Sequence, residues 1–167
     1  MADMDPTAET GAIGKDTAVR RYLVVANQTL AGDELVHHIE ERAKAETSEF
    51  YIVVPATPIL EMALDMTAMP YIGGIPMIPT SPQQSRALAE ERLSAALAQL
   101  QEVGAAVDGR VCDPDPVRAV QAIVNERQFD EIIVSTLPSR ISRWLRQDLP
   151  HRLEQKCGLP VTHVEGN

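Results

Sequence analysis

Aromatic residues are scarce in this chain: Phe, Trp and Tyr together make up 4% of its 167 residues. A core without rings must rest on Val, Ile, Leu, Ala and Met, and a 44% hydrophobic content is enough to build one at this length. Cysteine is nearly absent too. Cys112 and Cys157 stand far apart with no paired spacing, which excludes a disulfide-dense secreted scaffold and a clustered metal site, and implies two reduced thiols. No apolar stretch approaches the roughly 20 residues needed to span a bilayer. No basic start leads into an apolar run, so a signal peptide is not expected. The formal charge is −9, and a surface that acidic repels nucleic acid and anionic membrane, where phosphate contacts supply most of the affinity. The expectation is a cytoplasmic protein with no nucleic-acid, membrane or metal partner. Residues 1–19 read as a disordered acidic tail and 20–167 as one domain.

What is present is a regular alternation. "RYLVVA" (21–26) and "FYIVVP" (50–55) are short apolar runs of the kind found in strands covered on both faces. Between them, Leu35, Ile39 and Ala43 recur at helical spacing among charges. Residues 82–103 carry Leu88, Leu93, Leu97 and Leu100 near one stripe, and Gly104 is placed to close that helix. "AAVDGRV" (105–111) is a weaker strand. Asp115 and Pro116 then open a helix as cap and first residue, with Val117, Val120, Ile123 and Val124 as its apolar face. "FDEIIVST" (129–136) is a fourth strand, 149–156 a last helix, and "LPVTHVE" (159–165) a fifth strand. Strand–helix alternation with strands buried on both faces predicts parallel pairing through right-handed crossovers. The fold expected is α/β: a doubly wound, open, parallel five-stranded sheet with helices on both faces.

Residues 56–81, "ATPILEMALDMTAMPYIGGIPMIPTS", break the rhythm with a long Met-, Pro- and Gly-rich connection. It is either a binding or protein-interaction loop, for which adaptable methionines are suited, or a short helical turn over the sheet edge.

The order of these elements resembles the universal stress protein family. The resemblance runs from about Arg20 to Glu165 and is carried by "YLVVANQT", "CDPDPVRAVQAIVNERQFDEIIVST" and "HRLEQKCGLPVTHV". It implies a parallel five-stranded, Rossmann-like sheet and a homodimer through the last strand, residues 159–165. Many members bind ATP through Gly-x-x-Gly, nine residues, then Gly-Ser or Gly-Thr, starting at the end of strand four. Here those positions fall on Val134, Leu137 and Gln147–Asp148 in one register, or on Ser135, Pro138 and Asp148–Leu149 in the other. Residues 110–157 contain no glycine at all. Without it the backbone N–H groups cannot close on phosphates, and Pro138 has no N–H to give. Asp148, read as the cap of the last helix, would put a carboxylate where a phosphate lies. The acidic residue that in the family often meets the adenine or ribose corresponds to the uncharged Asn27. The usual ATP mode reads as lost, and no cofactor is expected.

In its place the chain offers arginines. Arg140, Arg143 and Arg146 recur at every third residue beyond strand four. From residue 135 onward there are five basic and three acidic residues, against ten basic and twenty-one acidic before it. Ligands of open α/β sheets bind beyond the carboxyl ends of the strands, and arginine forks suit phosphate and carboxylate oxygens. The candidate ligand residues are Asn27, Gln28 and Thr29 after strand one, and Ser135, Thr136, Ser139, Arg140 and Arg143 after strand four. The alternative is that the arginines stand in solvent. A hydrolase triad of Ser135 or Ser139 with His151 can be written, but Ser139 lacks the Gly-x-Ser-x-Gly elbow, and no catalytic residue is expected. Two functions follow. One is a non-enzymatic, stress-protein-like interaction module, homodimeric and able to hold a small anionic metabolite. The other is a nucleotide-binding protein with a remodelled pocket.

Overall fold

The computed structural model describes residues 18–56, 71–72, 75–76, 81–138 and 148–166. Its strands are β1 (Arg20–Val25), β2 (Ser48–Pro55), β3 (Tyr71–Ile72), β4 (Ile75–Pro76), β5 (Ala106–Cys112), β6 (Glu131–Thr136) and β7 (Val161–Glu165). Its helices are α1 (Asp33–Ala45), α2 (Pro82–Glu102), α3 (Pro116–Glu126) and α4 (Leu149–Cys157). Five strands form one parallel sheet in the order β5-β2-β1-β6-β7, while β3 and β4 make a small antiparallel pair. No helix among the described residues is long and apolar enough to cross a membrane. Of the 56–81 connection, residues 57–70, 73–74 and 77–80 lie outside the described residues.

The alternation of side chains along the central strands makes two cores. Tyr22, Val24, Phe50, Ile52 and Val54 cluster with Leu35 and Ile39 of α1 and Ala89, Leu93, Ala96 and Leu100 of α2. Leu23, Val25, Tyr51, Val53, Ile132 and Val134 cluster with α3 and α4 through Val117, Val120, Ile123, Leu149 and Leu153. Helices therefore cover both faces, which is the doubly wound arrangement. Fully burying each such aliphatic side chain contributes about 1.5–3 kcal/mol.

The buried face of α2 differs from the leucine stripe in the sequence. Its buried residues are Ser85, Ala89, Leu93, Ala96 and Leu100, while Leu88 and Leu97 are half-buried. Small side chains at 89 and 96 bring the helix close to the sheet, so Leu88 and Leu97 fall at the border of the contact. On the sheet side the approach is equally close: a Cβ at Gly109 would stand 2.5 Å from the Ile52 carbonyl oxygen and 3.0 Å from Leu93 Cδ1.

Helix ends follow local chemistry. Ser81 and Gln84 form a reciprocal capping box at the start of α2. At its end Gly104 takes φ +80°, and the Gly104 and Ala105 amides donate to the Gln101 and Leu100 carbonyls. Asp115 accepts from the Val117 and Arg118 amides as the cap of α3. Asp148 behaves otherwise. It precedes α4 in a left-handed conformation, φ 53°, and its side chain makes no capping hydrogen bond. The capping carboxylate read from the sequence is thus not formed. Its extended backbone is missing, and Pro150 at the second helical position has no N–H to offer it.

At the opposite, amino-terminal edge of the sheet lies a buried ion network. The Glu131 side chain is 7% exposed and is gripped by both arms of the Arg42 fork, at 3.1 and 3.2 Å, and by Arg20 at 3.2 Å. Thr162 donates to its other side, and Arg42 donates to the Tyr22 hydroxyl, which donates to Glu46. Burial works against ionising Glu131, but the hydrogen bonds from Thr162 and Arg42 and the charges of Arg42 and Arg20 hold its pKa below the ordinary carboxylate value.

Candidate functional site

The chain runs from β1 outward to β2 and β5, then returns across β1 to β6 and β7. Adjacent connections therefore leave in opposite directions at β1 and β6, opening a crevice beyond their carboxyl ends. Asn27, Gln28 and Thr29 stand on one bank of it, and Ser135 and Thr136 on the other. The structure brings these five together. Ser139, Arg140 and Arg143 lie outside the described residues, as does Arg146.

Among the described residues, the hydroxyls that the sequence offered as ligand contacts are bonded within the protein. Ser135, 1% exposed, donates to Thr29 Oγ1 at 2.7 Å, and Thr29 is itself 4% exposed. Thr136 donates to the Leu137 carbonyl at 3.0 Å and lies 2.7 Å from His163 Nε2. The Thr136 hydroxyl thus meets both the Leu137 carbonyl and the His163 ring, and the tautomer of His163 decides whether the hydroxyl oxygen or the ring nitrogen donates between them. Gly166 closes the floor: its amide donates to the Thr136 carbonyl at 2.8 Å, and a Cβ there would stand 2.9 Å from Thr29 Cγ2. Gln28 alone of the five is exposed.

Asn27 is buried and bonded at both ends of its amide. Its amide nitrogen donates to the Pro55 carbonyl at 2.9 Å, and its oxygen accepts from Arg92 at 2.9 Å. Arg92, on α2, is the residue of this region that sequence reading missed. It stands 65 positions from Asn27, and nothing local links them.

Other candidate chemistry is weak. His151 bonds Gln155 on its own helix at 2.7 Å, and Ser135 donates to Thr29, so Ser135 is not paired with His151 as its base. His37 is exposed beside Glu41 at 3.3 Å. His38 is half-buried; burial first, then the Arg42 charge, lowers its pKa. Burial pushes both free thiols, Cys112 and Cys157, above the ordinary cysteine value, which makes them poor nucleophiles at neutral pH. Among the described residues no group of three or more acidic, histidine or cysteine side chains could hold a metal. A groove of about 720 Å³ opens at the amino-terminal ends of β1, β2 and β5. Its charges are largely spent internally: Arg21 pairs with Glu49 at 3.4 Å, and Arg127 lies over the Tyr51 ring at 4.3 Å.

This architecture defines the chain as a doubly wound α/β protein with its candidate site at the switch point. No protein-family model matches it, and no curated protein does either. Solved structures do. A universal stress protein from Archaeoglobus fulgidus superposes with a TM-score of 0.53 at 15% identity, covering 87% of this chain and 93% of that one. The same organism's protein in complex with dAMP gives 0.55 at 14% identity, over 89% and 98%. A universal stress protein family protein from Arabidopsis thaliana with AMP bound gives 0.56 at 12% identity, over 89% and 92%. The chain has the universal stress protein fold.

Proposed function

We propose that this chain is a non-enzymatic, cytoplasmic interaction or regulatory module that holds a small anionic metabolite in the crevice between β1 and β6. The observation that carries this reading is the state of the crevice. It sits at the switch point, yet its described buried hydroxyls are bonded within the protein. Gln28, Arg92 and the arginine-bearing segment after β6 remain as the groups able to meet a ligand. Ser135 without a base, and His151 turned to its own helix, support binding over catalysis. The edge strand β7 supports a homodimer through residues 159–165, because its outer backbone groups have no partner strand among the described residues. The 56–81 connection is the segment we assign to a protein partner.

The second reading, a remodelled nucleotide site, is favoured by the mononucleotides named with similar structures: dAMP, AMP and cAMP. One experiment separates the two. Native protein is denatured, the released species is identified by mass spectrometry, and melting is followed with ATP, AMP, cyclic AMP and phosphate beside an Arg140→Ala, Arg143→Ala variant. A stoichiometric nucleotide whose stabilisation disappears in the variant establishes the second reading. Stabilisation by phosphate or by a recovered non-nucleotide anion establishes the first. Neither a bound species nor a shift sinks small-ligand binding altogether.

A further inference from the structure

Asn27 and Arg92 meet at the carboxyl ends of β1 and β2, on the same bank of the crevice as Gln28. The Asn27 amide has one orientation available. The Pro55 carbonyl can only accept, so the amide NH2 faces it and the amide oxygen faces Arg92. Each end of Asn27 thereby has a partner within the protein, which fixes the orientation of the amide. Its effect is to hold the guanidinium. Arg92 is half-buried and spends one Nη1 hydrogen on a neutral oxygen. Among the described residues it has no carboxylate within ion-pairing distance, unlike Arg20, Arg21, Arg42, Arg86, Arg110 and Arg118. Its Nε–Nη2 edge, the edge that makes two parallel bonds to a phosphate or carboxylate, has no hydrogen bond among the described residues. Because Asn27 is neutral, this corner keeps a full positive charge in a protein of formal charge −9.

We infer that Arg92, held in place by Asn27, receives the anionic group of the ligand. The phosphate or carboxylate lies over the ends of β1 and β2, and Arg92 sets the preference for a charged over an uncharged ligand. This rests on the crevice being the ligand site, as proposed above, and adds which bank of it carries the charge.

The test uses the full chain with inorganic phosphate and AMP as probes. The Arg92 Nε–Hε resonance is identified by its loss in Arg92→Lys and followed by NMR beside the backbone amides of Gln28 and Thr29. Both probes are expected to shift the Arg92 resonance to saturation. Arg92→Gln is expected to weaken AMP binding about tenfold or more, and Arg92→Lys, which keeps the charge but loses the fork, less. Shifts at Gln28 and Thr29 with a stationary Arg92 resonance, or AMP binding within about twofold in a folded Arg92→Gln protein, overturn the role of Arg92 and leave the crevice as a site. No movement of any crevice resonance with either probe overturns both.

Discussion

Ser135 and Thr29, separated by 106 residues, share a buried 2.7 Å hydrogen bond that ties the end of β6 to the loop after β1. The bond spans the switch point and fixes the width of the crevice. Removing one hydroxyl leaves the other buried without its partner, whereas removing both leaves nothing unsatisfied. Ser135→Ala or Thr29→Val alone is therefore expected to lose about 1–3 kcal/mol. The double variant loses clearly less than the sum, and urea unfolding of all four proteins gives the coupling. Additive losses would show that the two hydroxyls act independently.

Glu131 yields a pH prediction. Its folded-state pKa is depressed below that of an ordinary glutamate, so its ionised form stabilises the fold above the ordinary value. That contribution disappears as pH falls from about 4.5 through the lower, folded-state pKa. Glu131→Gln leaves Arg42 and Arg20 facing a neutral group and is expected to lose about 3–5 kcal/mol at neutral pH, the usual result of breaking one side of a buried ion pair. The difference in unfolding free energy between wild type and Glu131→Gln narrows as the pH is taken below 4. A difference independent of pH there would mean that the carboxylate charge is not what stabilises the network.

The two aspartates before α3 and α4 predict opposite outcomes. Asp115→Ala removes a working cap and lowers stability by about 1 kcal/mol. Asp148→Gly removes no cap and places glycine at φ 53°, so melting temperature holds or rises. A clear drop in Asp148→Gly would restore a capping role to that carboxylate.

Gly109→Ala tests the close approach of β5 to β2 and to Leu93 of α2. A methyl group 2.5 Å from the Ile52 carbonyl oxygen forces β5 away from β2, at about 1–3 kcal/mol. Thermal unfolding measures this directly, and an unchanged melting temperature would mean that the edge strand yields freely.

Much of the fold was legible because its signals are local. The valine and isoleucine runs of β1, β2 and β6 announce strands covered on both faces, and Asp115–Pro116 and Gly104 punctuate helices by chemistry within four residues. What escaped depends on distance in sequence. The close seating of α2 through Ala89 and Ala96 is a property of two surfaces, so the leucines misstate the buried stripe. Glu131 reads as the polar start of a strand until Arg42 and Arg20 close on it. The site was half legible: the strand ends were found, but the pairing of Thr29 with Ser135, and of Asn27 with Arg92, exists only once the sheet is assembled.

The strand order also bears on how the protein is made. β1 is the first of the described strands to be synthesised, yet it is the centre of the sheet, and β6, which must fill its second side, begins 106 positions after β1 ends at Val25. Until then a nascent chain carries an unpaired strand edge whose second half, Leu23, Val24 and Val25, is apolar. Pairing across that separation carries a large loop-closure entropy and proceeds slowly. Production of this protein should therefore depend on holding chaperones during translation more than its final stability would suggest.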